Sequence, residues 1–112
     1  MATLEELLKI DGVAAVGEFR PDGSLIDYKA NMEMPLELAG MSAQFCATVS
    51  MVFGTTMSGA FTQLSGMNWS PPQGWMFAGG DWTVSVAGGR GVFVDSAKAN
   101  FNKLFGALVG SK

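Results

Sequence analysis

The stretch MSAQFCATVSMVFGTTMSGAF, residues 41–61, contains no charged side chain, although its apolar residues recur with helical spacing. The uncharged zone is wider than this stretch, because no Asp, Glu, Lys or Arg occurs between Glu37 and Asp81. A long helix at the surface of a soluble protein normally presents a charged face to water. We therefore expect this helix to be buried, partly by its own chain and partly by a second chain.

Two apolar stripes run along the predicted helix. The bulky stripe recurs at intervals of three and four residues and consists of Leu38, Met41, Phe45, Val49 and Val52. The small stripe recurs at similar intervals on another side and consists of Ala39, Ala43, Ala47, Ser50, Gly54 and Ser58. We expect the bulky stripe to cover a sheet and the small stripe to let a second helix approach closely, as small side chains do between packed helices. Alternatively, the small stripe lies under a loop of the same chain.

Length and composition also favour a partner. A chain of 112 residues is predicted to form one domain, residues 1–112, with a single core. Hydrophobic residues make up 48% of the chain and charged residues only 15%, below the roughly 25% that is usual for soluble domains. Some apolar surface is therefore expected to be buried against another chain.

The charged and titratable residues exclude several classes of function. Seven basic and ten acidic residues give a net charge of -3, without a Lys/Arg cluster that could neutralise nucleic-acid phosphates. The chain has no His, which excludes a His-dependent catalytic triad or zinc site. The single cysteine, Cys46, lies among apolar residues and is predicted to be a small buried side chain, not a reactive thiol. We predict a protein that is not an enzyme and has no metal and no cofactor.

The N-terminal residues MATLEELLKID are acidic and do not resemble a signal peptide, so a cytoplasmic location is expected. Polar side chains between residues 42 and 63 interrupt every short apolar run, and aromatic or basic anchors are absent from both ends. The uncharged helix is therefore not expected to span a membrane.

The N-terminal third carries signals for a helix and a β-hairpin. Thr3 and Glu6 form a capping box, which predicts a short helix. Two runs with strand composition follow at residues 13–19 and 25–30, and the turn PDGS at residues 21–24 joins them.

Three strands and a helix are predicted after the long helix, whose first turn suits Pro35. The strands are expected in GWMFAG, DWTVSVAG and GVFVD, at residues 74–79, 81–88 and 91–95. The last helix is expected to begin at a Ser96 cap. Its apolar face is expected to consist of Ala97, Phe101, Leu104, Phe105 and Leu108.

The predicted order is α-β-β-α-β-β-β-α, which indicates an α+β fold, a three-layer sandwich. One antiparallel five-stranded sheet would lie between the terminal helices on one face and the long helix on the other. The third strand is apolar and uncharged, and such an edge strand invites aggregation unless a partner covers it. Trp69, Trp75 and Phe77 lie in this region, and aromatic residues are enriched in interface cores. We predict that this strand pairs with its copy in a second subunit.

Two glycine-rich segments do not indicate a phosphate site. AGGRG, residues 87–91, joins two strands and is not followed by a helix N-terminus, so a hairpin turn is predicted. GTTMSG, residues 54–59, lies inside the predicted helix.

The chain resembles the roadblock/LC7 family, and within it a short, uncharacterised prokaryotic branch. The resemblance covers nearly the whole chain. It rests on the order of the elements and on GEFRPDGSLIDYK, residues 17–29, SGMNWSPPQGW, residues 65–75, and the GGDWTV segment at residues 79–84. These motifs are structural and identify a fold better than an activity.

The resemblance implies a homodimer without a cofactor, in which the long helices pack antiparallel and the third strands join two sheets into one of ten strands. Relatives of this kind are platforms for larger complexes or regulators of small Ras-like GTPases. We predict an interface formed by Ala43, Ala47, Ser50, Gly54, Ser58, Trp69, Trp75 and Phe77. Two other hypotheses stay open: a small-molecule sensing or carrier domain, and an accessory subunit of a redox complex.

Overall fold

A capping box starts the first helix, as predicted. The computed structural model describes residues 3–69 and 73–109, without the side chains of residues 56–58. Helix α1, Leu4–Leu8, is capped by the Thr3 backbone N–H, which donates to Glu6 Oε1 at 2.8 Å, and by the Glu6 N–H, which donates to Thr3 Oγ1 at 3.1 Å. The Thr3 hydrogen bond lowers the pKa of the Glu6 carboxyl.

Five antiparallel strands form one sheet in the order β2-β1-β5-β4-β3. Their bounds are β1 Val13–Phe19, β2 Leu25–Ala30, β3 Trp75–Gly79, β4 Trp82–Ala87 and β5 Arg90–Asp95. The turns between paired strands use glycine where φ is positive, at Gly23 before β2 and at Gly88 and Gly89 between β4 and β5. The five predicted strands and the fold class are confirmed.

The sheet has a core on each face, because neighbouring residues of a strand point to opposite sides. Ala87 packs with α1 and the C-terminal helix in a core that includes Leu7, Val92, Leu104 and Leu108. Val86 packs on the other side with Phe19, Ala43, Cys46 and Ala47. This arrangement is the three-layer sandwich predicted from the sequence.

The uncharged stretch forms a long helix in three parts. Helix α2, Leu36–Met51, begins at an N-cap residue, Pro35. It continues into a π-helical segment, Val52–Met57, and then into α3, Ser58–Ser65. The helix therefore extends well past the residues that pack on the sheet.

The structure reverses the predicted orientation of this helix. Ala43 and Ala47 of the small stripe are buried on the sheet of their own chain, with 4% and 6% of their surfaces exposed. Small residues also lie on the sheet below, where a Cβ added to Gly91 would be only 3.2 Å from Cys46 Sγ. Because small side chains face each other there, the helix backbone lies close to the sheet and no bulky side chain of the helix fits at this contact. The bulky stripe consequently points away from the sheet.

The C-terminal helix, α4, spans Phe101–Val109 and begins later than predicted. Asn100 caps it, since the Lys103 N–H donates to Asn100 Oδ1 at 3.1 Å. The Ser96 hydroxyl instead lies 2.7 Å from Thr83 Oγ1, and Ala97 precedes the helix. The buried Arg90 side chain donates from Nη2 to the Leu108 carbonyl at 3.2 Å, which satisfies an acceptor in the last turn.

Asn100→Ala is expected to lower the free energy of unfolding by about 1 kcal/mol, because the Lys103 N–H loses its acceptor. Urea unfolding followed by circular dichroism measures the change. Asn102→Ala is the matched control, since Asn102 is exposed inside the same helix and should change stability little. Equal losses in the two variants would contradict the assigned cap.

Among the described residues, one helical stretch, Leu36–Thr55, is long and apolar enough to cross a membrane by length and composition alone. Core helices of globular folds meet the same criterion. Here Ala43 and Ala47 of that stretch lie against the sheet, whereas most of the stretch is not buried.

Candidate functional site

The bulky stripe forms an exposed apolar surface on the outer side of α2. Met41 is 67% exposed and Phe45 is 45% exposed, and Leu38 and Val52 are also open to solvent. Val49 is half-buried. No charged residue of α2 follows Glu37, so this surface has no charged group that would bind water strongly. A contiguous apolar surface of this kind indicates an interaction site.

Aromatic side chains connect this surface to strand β3. The Phe45 ring lies 5.9 Å from Trp75 and 6.3 Å from Phe77 between centroids, both edge-to-face. Phe53 lies 6.2 Å from Trp75. The Trp75 indole donates from Nε1 to Ser50 Oγ at 2.9 Å, which fixes β3 against the helix. The exposed helix surface and the edge strand therefore form one continuous patch.

Strand β3 has one paired edge and one open edge. It pairs with β4 from Trp75 opposite Val86 to Gly79 opposite Trp82, and no described strand lies on its other side. Strand β2, at the other end of the sheet, carries Asp27 and Lys29, which discourage edge-to-edge pairing. Strand β3 has no charge, and its central residue Phe77 is 57% exposed. The open β3 edge is the one suited to pairing with another strand.

A second aromatic cluster lies at the end of α3. The rings of Phe61 and Trp69 lie 6.1 Å apart, and the Trp69 N–H donates to Thr62 Oγ1 at 3.0 Å. The Trp69 indole donates from Nε1 to Ser65 Oγ at 3.1 Å. The neighbouring Leu64 is exposed. This cluster is held by the helix end and not by the sheet.

The predicted interface residues do not share one surface. Ala43 and Ala47 are buried within their own chain, Ser50 accepts from Trp75, and a Cβ at Gly54 would meet nothing within 4 Å. The Ser58 side chain lies outside the described residues. Trp75 and Phe77 belong to the β3 part of the patch, whereas Trp69 belongs to the α3 cluster.

The sequence prediction missed Met41 and Phe45 as exposed residues. A signal for them was present: Ala15, Gly17 and Gly91 are small residues on the strands that α2 covers. Small residues at these three positions favour a helix side with similarly small residues.

Cys46 is buried between α2 and the sheet. Burial raises the pKa of the Cys46 thiol to about 11, because desolvation disfavours the thiolate. Among the described residues, no group of three or more Cys, Asp or Glu side chains could hold a metal ion.

Labelling of native Cys46 by a thiol reagent at pH 7.5 is expected to be at least about a hundredfold slower than labelling of the urea-unfolded chain, since a higher pKa leaves less thiolate. The rate should rise with pH, because the thiolate fraction grows as pH approaches the pKa. Rapid stoichiometric labelling of the folded chain would contradict this placement of the thiol.

A cavity of about 430 Å³ lies beside the patch, between the helix and the start of β3. Its lining is largely apolar and includes Ala47, Phe53, Trp75 and the turn residues Gly88 and Gly89. None of the described residues that line it is charged.

Comparisons with known proteins agree with this architecture. The family model described as "Uncharacterized conserved protein (DUF2173)" matches residues 3–109. No curated protein matches the sequence. Among solved structures, the gliding protein MglB from Thermus thermophilus aligns with a TM-score of 0.70 at 19% identity, covering 96% of this chain and 80% of MglB.

Two other solved structures are similar. A Roadblock/LC7 domain from Streptomyces avermitilis gives a TM-score of 0.65 at 11% identity and covers 94% of this chain and 86% of that domain. Myxococcus xanthus MglB gives a TM-score of 0.59 at 16% identity and covers 93% of this chain and 86% of that MglB chain. At these identities the likeness concerns the fold alone.

Proposed function

The chain belongs to the family described as "Uncharacterized conserved protein (DUF2173)" and has the roadblock/LC7 fold, and from this premise we propose that it is a non-enzymatic homodimeric adaptor or regulatory module. One observation carries the proposal. The patch made of the bulky stripe and the open β3 edge is apolar, uncharged and continuous.

The chemistry of the patch fits a protein partner. Interface cores are enriched in aromatic residues and methionine and depleted in charges, which describes Met41, Phe45 and Phe77 together. The β3 edge adds unpaired backbone groups that a second strand would satisfy. A second copy of the chain supplies both an apolar helix surface and a free strand edge at once, so it covers the whole patch.

The regulatory part of the proposal rests on resemblance to the roadblock/LC7 family. We propose that the dimer acts in the cytoplasm as a platform in a larger complex or as a regulator of a small Ras-like GTPase.

Affinity capture from the source organism with the purified chain as bait tests this role. Recovery of a Ras-like GTPase, or of the subunits of one complex, would support it. Met41→Glu is expected to abolish the recovery, because a charge within the bulky stripe breaks the dimer that the partner recognises. Met32→Glu is the matched control, since Met32 is an exposed methionine outside the patch.

Equal capture by the Met41→Glu and Met32→Glu baits would contradict the proposal, because the partner would then ignore the patch. Failure of the wild-type chain to capture any GTPase or complex would also count against it.

The cavity beside β3 favours a second candidate function, a small-molecule sensing or carrier domain. Its volume of about 430 Å³ and its apolar lining suit an uncharged ligand. Thermal-shift screening against a metabolite set distinguishes the two functions, because a bound ligand raises the unfolding temperature. The buried Cys46 gives no support to an accessory role in a redox complex.

A further inference from the structure

The cavity of about 430 Å³ beside β3 continues the apolar core between α2 and the sheet. The most buried residues that line it, Phe19, Ala47 and Val86, all belong to that core. The half-buried rings of Phe53 and Trp75 line it as well. The cavity is therefore an apolar space that the described side chains leave unfilled.

The turn between β4 and β5 explains why this space exists. Gly88 and Gly89 line the cavity with φ values of 61° and 76°, a region of backbone conformation that other residues rarely adopt. A Cβ added to Gly89 would also lie 3.3 Å from the carbonyl oxygen of Phe19. A larger residue in this turn would consequently strain the backbone, so the turn cannot fill the cavity.

One hydroxyl group that lines the cavity has a proton left to donate. The Ser50 hydroxyl accepts a hydrogen bond from Trp75 Nε1 at 2.9 Å. Among the described residues, no acceptor takes the proton of this hydroxyl. A serine hydroxyl can donate one hydrogen bond while it accepts another, so a carbonyl oxygen of a ligand could take this proton.

The chemistry of the lining selects the kind of ligand. Since the described lining residues carry no charge, a charged ligand would lose its hydration without gaining an ion pair. The rings of Phe53 and Trp75 lie 6.2 Å apart between centroids and are tilted by 37°. Aromatic rings make favourable stacked and edge-to-face contacts with other rings, so this pair favours an aromatic ligand over an aliphatic one.

We propose that the cavity binds an uncharged, planar aromatic molecule with a carbonyl group. Phe53 and Trp75 contact its ring system, and the Ser50 hydroxyl donates to its carbonyl oxygen. The cavity volume is within the range of roughly 300–1,000 Å³ that is usual for ligand pockets. The inference rests on the second candidate function, the small-molecule domain, and adds the class of its ligand.

The dye prodan is a suitable probe, because it is an uncharged planar naphthalene with one carbonyl group and its emission shifts to shorter wavelength in an apolar site. Titration of the folded chain is expected to show saturable binding of one dye per chain. Phe53→Ala is expected to raise the dissociation constant about tenfold, since a ring contact is lost. Phe61→Ala is the matched control, because Phe61 packs on Trp69 in the same long helix and should leave binding unchanged.

A second variant tests the hydrogen bond separately from the ring contacts. Ser50→Ala is expected to weaken prodan binding about fivefold, because the carbonyl oxygen loses its donor. Naphthalene has no carbonyl group, so its competition with prodan gives an affinity that the same substitution should change little. Equal weakening of both compounds would show that the variant only displaces Trp75, and would overturn the role of the hydroxyl. Circular dichroism checks that each variant is folded.

The remaining outcomes separate this inference from the proposed functions. No saturable binding of prodan, or equal effects of Phe53→Ala and Phe61→Ala, would overturn the aromatic site. If the metabolite screen then found a ligand without an aromatic ring, the small-molecule function would stand without this ligand class. The mass of the chain in light scattering tests the homodimer independently of any probe.

Discussion

Phe45→Glu is expected to convert the proposed dimer into monomers. The substitution places a carboxylate at the centre of the bulky stripe of each chain and removes the Phe45 ring from its contacts with Trp75 and Phe77. A buried, unpaired charge costs several kcal/mol, and a loss of about 4 kcal/mol weakens the dimer about a thousandfold. Sedimentation equilibrium measures the dissociation constant, and circular dichroism checks that the variant is folded.

Phe61→Glu is the matched control for this experiment. Phe61 is 44% exposed, almost the same as Phe45, and lies on the same long uncharged helix. It belongs to α3, beyond the stripe, so its replacement should leave the dimer intact. An effect of equal size at both positions would show that general polarity, and not the stripe, controls association.

Ala43→Leu is expected to lower the free energy of unfolding by about 3 kcal/mol. Ala43 is buried between α2 and the sheet, where a cavity of only about 30 Å³ leaves too little space for the added carbon atoms unless the helix moves. Chemical unfolding at several protein concentrations measures the loss and separates it from any change in dimerisation. Ala60→Leu is the matched control, because Ala60 is exposed in α3.

A stable Ala43→Leu chain would contradict the assigned orientation of the long helix. It would indicate that the small stripe faces a partner, as its pattern in the sequence alone suggested.

The order of elements and the sheet could be predicted from local signals. The capping box of Thr3 and Glu6, the turn at Gly23 and the period-two pattern of β4 each act within a few residues, so a single sequence contains them. The predicted start of α4 was wrong, because Ser96 and Asn100 are both residue types that cap helices well. The Ser96 hydroxyl bonds instead to Thr83, which is distant in sequence, and Asn100 caps the helix.

The orientation of the long helix could not be predicted from its own periodicity. Both stripes are apolar, and either could face a sheet. Which stripe faces the sheet depends on the small side-chain volume of Ala15, Gly17 and Gly91. These residues lie on β1 and β5, two strands that are far apart in sequence. A sequence pattern of one helix contains no information about that volume.

The candidate site was predicted in part. The uncharged β3 strand was recognised from composition, and the structure places it at the edge of the sheet. Met41 and Phe45 were assigned to the core, because bulky apolar residues are more often buried than exposed. Their true placement follows from the reversed helix.

The mass of the wild-type chain in dilute buffer tests the central claim most directly: the bulky stripe and the β3 edge are covered by a second copy of the chain. Static light scattering at micromolar concentration should give twice the monomer mass of 11.8 kDa. A value of 11.8 kDa would contradict the claim, since the exposed Phe45 and Phe77 would then belong to a chain that stays alone.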